Sequence, residues 1–294
     1  MAHSRLFKVF LILCLGVYGF TQTPAVGSHQ SAIRSNGASN ISPARGHLTS
    51  ALDINSSGVG PHFQGHDIVG IVNWLQNSPA LAQKSEFESS REYAARRATV
   101  QSTKIVGDMV PDSRFAFVVE ENAYPYHLAP TFEYDADAQL MKVTLRAAEQ
   151  EFHLGNGVRK MQTVSIHSVS EEGRSYRAAN AFGATVVVST SSVRQYGLSF
   201  EAESWVFRRS TSFDPHFEGV IPMSSGDARR LGPNLEFLIV CRLTDPWYVS
   251  SLYTDAATFD FPEQLTVRQQ FLQVVVEQLW VVDRQTGNVI AKFK

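Results

Sequence analysis

From residue 115 to the end, the chain alternates apolar and polar residues with period two, and this most constrains what it can fold into. "QLMKVTLR" is the clearest case, with Met141, Val143 and Leu145 on one side and Lys142, Thr144 and Arg146 on the other. Side chains of a strand point alternately to its two faces, so such a run makes a strand with one face buried and one wet. "RFAFVVEE" places Phe115, Phe117 and Val119 together, and "TVSIHSV", "ATVVVSTS", "RQYGLSFEAESWVF" and "LEFLIVCRL" continue the series. The last stretch, "FLQVVVEQLWVVDRQTGNVIAKF", reads as a long strand, a turn over Asp283–Gly287 and a returning strand, Gly287 suiting the left-handed position of a short loop. One-face-wet strands joined by short turns point to an antiparallel sheet.

Before this region the period is helical. "HDIVGIVNWLQN" spaces Ile68, Ile71, Val72 and Leu75 along one helix face, with Asp67 as its cap and Pro79 ending it. In "KSEFESSREYAARR", residues 84–97, Ser85 and Glu88 have capping-box spacing. Phe87, Ala94 and Ala98 share a stripe, Glu92 and Arg96 stand at i,i+4, and Arg96 and Arg97 come late, where the helix dipole favours cations. Local helix physics accounts for these charges without a nucleic-acid patch. A third, short helix is expected in "SSGDARRL". The fold class is α+β, a mainly antiparallel β-sheet domain preceded by two helices over about 67–103, with the β-rich part over 115–294.

The first residues carry a different signal. Arg5 and Lys8 precede an apolar run from Val9 to Phe20, which is shorter than the ~20 residues needed to span a bilayer. Small residues at Ala25 and Gly27 suit cleavage after Gly27, so residues 1–27 read as an export signal, with an uncleaved anchor as the competing reading. Leu13 before Cys14 argues against a lipoprotein signal. Loss of Cys14 with the signal leaves Cys241 as the one thiol, and no disulfide within the chain. Residues 28–62, rich in Ser, Gly, Asn and Ala without apolar period, read as a disordered spacer, and 63–294 as a single domain. A formal net charge of −2 excludes the basic excess that nucleic-acid binding requires. After cleavage no stable membrane insertion is expected.

The ordered segments "KSEFESSREYAARR", "FEYDADAQLMKV", "NAFGATVVV" and "LWVVDRQTGNVIAKF" resemble an uncharacterised group of exported bacterial proteins, over roughly residues 84–293. Ser89 stands where that group has threonine. The resemblance implies a bacterial envelope protein, periplasmic or secreted, and no activity, cofactor or catalytic residue.

Residue patterns for chemistry are sparse. His62 and His66 have i,i+4 spacing but lack a third metal ligand nearby. Asp135 and Asp137 match the start of a calcium loop, but Leu140 and Arg146 break its pattern, and a hairpin turn fits better. Glu201 and Glu203 would share a strand face about 6.6 Å apart, but a carboxylate pair for glycoside hydrolysis normally draws on two elements. Cys241, aligned with Phe237, Ile239 and Leu243, reads as a buried thiol. In "NAFG", Asn180 and Gly183 suit a turn and Phe182 a core position. Trp205, Trp247, Trp280 and Tyr248 are candidates for a ligand wall or for core. The sequence therefore assigns no catalytic, cofactor-binding or metal residue and no cofactor. It leaves three readings: a non-catalytic envelope interaction module contacting another envelope protein or the cell wall, a binding protein for an apolar or carbohydrate ligand, and a hydrolase with an unrecognised site.

Overall fold

The alternating strands assemble into two sheets in a computed structural model that describes residues 46–82, 84–120, 129–154, 157–171, 173–179, 182–201, 204–207 and 215–294. Strands β1 (Phe115–Val118), β4 (Ala148–Leu154), β5 (Gly157–Glu171), β7 (Thr185–Glu201), β9 (Leu235–Asp255) and β10 (Glu263–Asp283) form a sheet in the order β1-β9-β10-β7-β5-β4. Two short strands complete it, β6 (Ser175–Ala179) beside β7 and β11 (Val289–Phe293) beside β10. A second sheet has the order β2-β3-β8, from Thr131–Asp135, Leu140–Arg146 and His216–Pro222. The α+β class holds, mainly antiparallel and preceded by two short helices.

One pairing departs from the antiparallel rule. β7 and β10 run parallel from Ser189/Glu263 to Ser199/Gln273. Periodicity reports which face a side chain takes and says nothing about strand direction. Strand β8 of the second sheet, a helix and all of β9 intervene between β7 and β10, which is the long connection a parallel pair requires.

The main core lies on one face of the large sheet. Phe237, Ile239, Cys241, Leu272, Leu279 and Val281 meet Met141, Val143 and Leu145 of β3 and Ile68, Ile71, Val72 and Leu75 of helix α1 (Ile68–Asn77). As expected, α1 is capped by Asp67, whose carboxylate accepts the Gly70 N–H at 2.9 Å. Helix α3 (Ser225–Leu231) forms in "SSGDARRL", where the sequence allows a start at Ser224 or Ser225, and Ser224 is its cap.

Helix α2 (Ser90–Ala98) begins four residues later than its first capping pattern. Ser89 and Glu92 form the box, and Ser85 and Glu88 close a separate turn. Both pairs have the right spacing. The choice follows from Arg96, whose guanidinium holds the Glu88 carboxylate through two bonds of 2.8 Å and also donates to the carbonyls of Pro79 and Ala82. Glu88 is thus taken up outside the helix, and Arg96 pairs with it instead of Glu92. No α2 residue is buried and Phe87 is 89% exposed, so the expected apolar stripe does not reach the core.

The boundary expected at residue 62 is corrected: residues 46–62, expected in the spacer, belong to the domain. Residues 46–63 lie on the opposite face of the large sheet and close a second core of Leu52, Ala116, Leu238, Val240, Trp280 and Val282, with Leu48, Ile54, Val59 and Phe63 at its rim. The Leu52 N–H donates to Arg114 O, Val59 N–H to Gly287 O and Val289 N–H to Ser57 O. Lys292 donates to the carbonyls of Ile54 and Ser56 at 2.7 Å each, with its ammonium 4.0 Å from the Trp280 ring centre. The expected turn at Asp283–Gly287 forms, with Gly287 at φ 74°. A Cβ on Gly287 would stand 2.0 Å from Gly60 O, so this glycine admits the crossing strap as well as the turn. Residues 28–45, the rest of the expected spacer, and the export signal lie outside the described residues.

Candidate functional site

The histidine pair separates first. His62 has φ 53° and Gly65 φ 66°, so the chain is not helical before Ile68 and the two imidazoles do not share a helix face. His66 is buried. Its Nδ1 accepts the Ala116 N–H at 2.9 Å, and Nε2 lies 3.1 Å from Ser50 O, to which it donates. Burial holds its pKa below the usual range, the two carbonyl contacts opposing this in part. It is a neutral brace tying the strap to β1. Among the described residues no three of His, Cys, Asp and Glu gather as metal ligands would.

The remaining candidates scatter. The Asp135 carboxylate accepts the Ala138 N–H at 3.1 Å and closes the β2–β3 hairpin turn. Glu201 ends β7 near Arg159, and its expected partner Glu203 lies outside the described residues. Cys241 is fully buried, and its surroundings push the thiol pKa far up, desolvation first and the Glu277 carboxylate second. Phe182, expected in the core, is 97% exposed beside Gly183, while Asn180 lies outside the described residues. Trp280 belongs to the strap-covered core and donates to Gln278 Oε1 at 2.7 Å. Trp247 and Tyr248 belong to the main core on the other face, and Trp205 donates to Val276 O. These aromatics do not line one wall.

Three surfaces remain. The outer face of the small sheet forms a cleft of about 900 Å³ lined by Glu133, Lys142, Thr144, Arg146, His216 and Glu218. His216 Nε2 stands 3.1 Å from Glu218 Oε1. Strand register separates Glu133 from Glu218 by two strand spacings and one two-residue step, about 12 Å at the backbone. A smaller cleft of about 360 Å³ adjoins Trp247, Asp112, Arg242 and Asp245. Its charges are already matched: Arg242 bridges Asp112 and Glu277, Glu277 also holds Arg114, and Asp245 holds Arg97.

The third surface is the far end of the large sheet. Past Phe271 and Tyr196, strands β5, β7, β9 and β10 continue with exposed or half-buried residues on both faces, Val188 excepted. A chain of side-chain hydrogen bonds crosses all four, Ser251 to Gln269, Gln269 to Gln195 and Gln195 to Ser165. At the tip, Phe182 before β7 and Phe259 and Phe261 before β10 are 97%, 46% and 77% exposed. The β7–β10 register places these two loops at the same end. Sequence reading missed this surface because Ser- and Thr-rich alternation looks the same over a core and beyond one. The length of β9 and β10, 21 residues each against a usual ~5–6, was the available signal.

Comparison with family profiles, curated proteins and solved structures finds no match for this chain.

Proposed function

We propose that the protein is a non-catalytic exported module of the bacterial envelope, whose extended sheet end contacts another envelope component, a protein or the cell wall. The observation that carries this reading is the aromatic tip. Three phenylalanines on the loops that precede the neighbouring strands β7 and β10 expose 97%, 46% and 77% of their surface, and large exposed apolar side chains gathered at one end of a sheet are the kind of surface that interaction sites use. The apolar run Val9–Phe20 after Arg5 and Lys8 supports export with cleavage near Gly27. Among the described residues no helix is long and apolar enough to cross a membrane.

The test is capture from a cell-envelope extract with the processed chain as bait, beside a Phe182→Ser/Phe259→Ser/Phe261→Ser variant. The reading requires a partner or wall fraction that the wild type retains and the variant loses. Equal retention by both would overturn it.

A hydrolase is the second reading, favoured by the His216–Glu218 pair in the larger cleft. Activity against esters, peptides or glycosides that His216→Ala abolishes in a folded protein would establish it over the first.

A further inference from the structure

The cleft of about 360 Å³ beside Trp247 lies where β9 breaks its pairing with β10. Leu243 stands opposite Val274 and Tyr248 opposite Leu272, so residues 244–247 stand against the single residue Gln273. That exceeds the one extra residue of an ordinary bulge. Within it Trp247 has φ 74°, the left-handed region, where a bulky side chain is strained. Its indole N–H is also buried with no acceptor among the described residues, and such a donor in a folded chain calls for an explanation. Bulges and strained residues gather at ligand sites.

We infer that this cleft binds one ring of a neutral sugar, a hexopyranose free or at the end of a glycan. Charge argues against an ionic ligand. Arg242 is held by Asp112 and Glu277, and Asp245 by Arg97, so a charged group entering here competes with a pair already made. What stays unused suits hydroxyls. Gln101, in the turn Thr99–Ser102 after α2, and Thr244 have no side-chain partner among the described residues. The side chains of Asp112 and Asp245 are 69% and 67% exposed, and each keeps one oxygen free of its arginine. These groups are donors and acceptors together, and a sugar hydroxyl is both. An apolar ligand would leave them unpaired. Leu243, Trp247 and Val275 add apolar lining for the C–H face of a ring. The volume is at the low end for ligand pockets, which suits one ring and not a chain of them. Trp247 lies about 26 Å along β9 from Asp255 at the tip, so this site is independent of what the aromatic tip binds.

Saturation-transfer NMR of the chain, as its host processes it, tests the inference with glucose, galactose, mannose and N-acetylglucosamine. At least one of these should bind, with a dissociation constant on the order of 1–10 mM for a single ring in an open cleft. Gln101→Ala should weaken that binding about fivefold, the loss of one hydrogen bond, and leave the thermal melt unchanged, since the residue is exposed. Val275→Arg, 52% exposed in the wild type, should fill the cleft and abolish binding, whereas Val187→Arg, 58% exposed on β7, should not. The Phe182→Ser/Phe259→Ser/Phe261→Ser variant should bind the sugar as the wild type does, which separates a failure here from a failure of the tip reading. No binding of any of these sugars up to about 50 mM would overturn the inference. So would binding that survives Val275→Arg, binding lost with the three phenylalanines, or glucuronate or glucosamine binding more tightly than glucose.

Discussion

Deleting residues 46–62 should destabilise the domain by much of its total stability. These residues cover Leu238, Val240 and Trp280, each 0% exposed. Full burial of a large apolar side chain contributes about 1.5–3 kcal/mol, so uncovering three costs about 5–9 kcal/mol. The lower figure is the better guide, because denatured chains already bury part of this surface. Lys292 also loses two carbonyl acceptors, leaving its ammonium over Trp280 alone. A domain has about 5–15 kcal/mol in all, so the deleted form is marginal or unfolded. The assay is urea unfolding of the processed chain with and without the deletion, followed by near-ultraviolet circular dichroism, which reports Trp280. With a slope of about 2–3 kcal/mol/M, the midpoint should fall by about 2 M. Leu52→Ala, 8% exposed, should reproduce about 2–3 kcal/mol of the loss without shortening the chain. A deletion that leaves the midpoint within about 0.3 M would refute the reasoning, and residues 46–62 would then be a spacer after all.

Cys241 should resist alkylation in the native protein and react once denaturant is added, and Cys241→Ala should cost only about 1 kcal/mol in a urea melt. Burial holds the His66 pKa down, so the unfolded chain takes a proton first as pH falls through about 6.5. Stability should therefore begin to drop as pH falls through about 6.5 and go on falling below it, and His66→Gln should remove that part of the slope. Glu236 is shifted the other way: burial raises its carboxyl pKa, which Arg284 at 3.3 Å offsets only in part. Its contribution is present below the unfolded carboxylate pKa and lost as pH rises through the folded one, so Glu236→Gln should raise the melting temperature at neutral pH. Ser89→Ala removes the cap of α2 and should cost about 1 kcal/mol, whereas Ser85→Ala should cost less, which thermal melts of the pair would show.

The sequence by itself determined β1, β3, β11 and parts of β5, β7, β9 and β10, and which side of β1, β3 and the first half of β9 faces the main core, while β2, β4, β6 and β8 were not legible in it. Phe115, Phe117, Met141, Val143, Leu145 and Cys241 all lie where period two put them, because a strand's alternation is a local property of its backbone. The Asp67 cap, the short helix at Ser224 or Ser225 and the Gly287 turn were legible for the same reason: each is settled within a few residues. Tertiary structure decided what covers the other face. Leu238 and Val240 alternate with core residues and so read as the wet side, at most partly covered, yet both are fully buried under the strap. The strap has no period of its own. Its apolar residues Leu48, Leu52, Ile54 and Val59 are irregularly spaced, since a chain lying across strands follows the sheet's surface and not its own repeat. Tertiary structure also chose between the two capping boxes through Arg96, set the parallel β7–β10 pair, and left Phe182 in water. Each depends on contacts between residues distant along the chain, and no local periodicity encodes them.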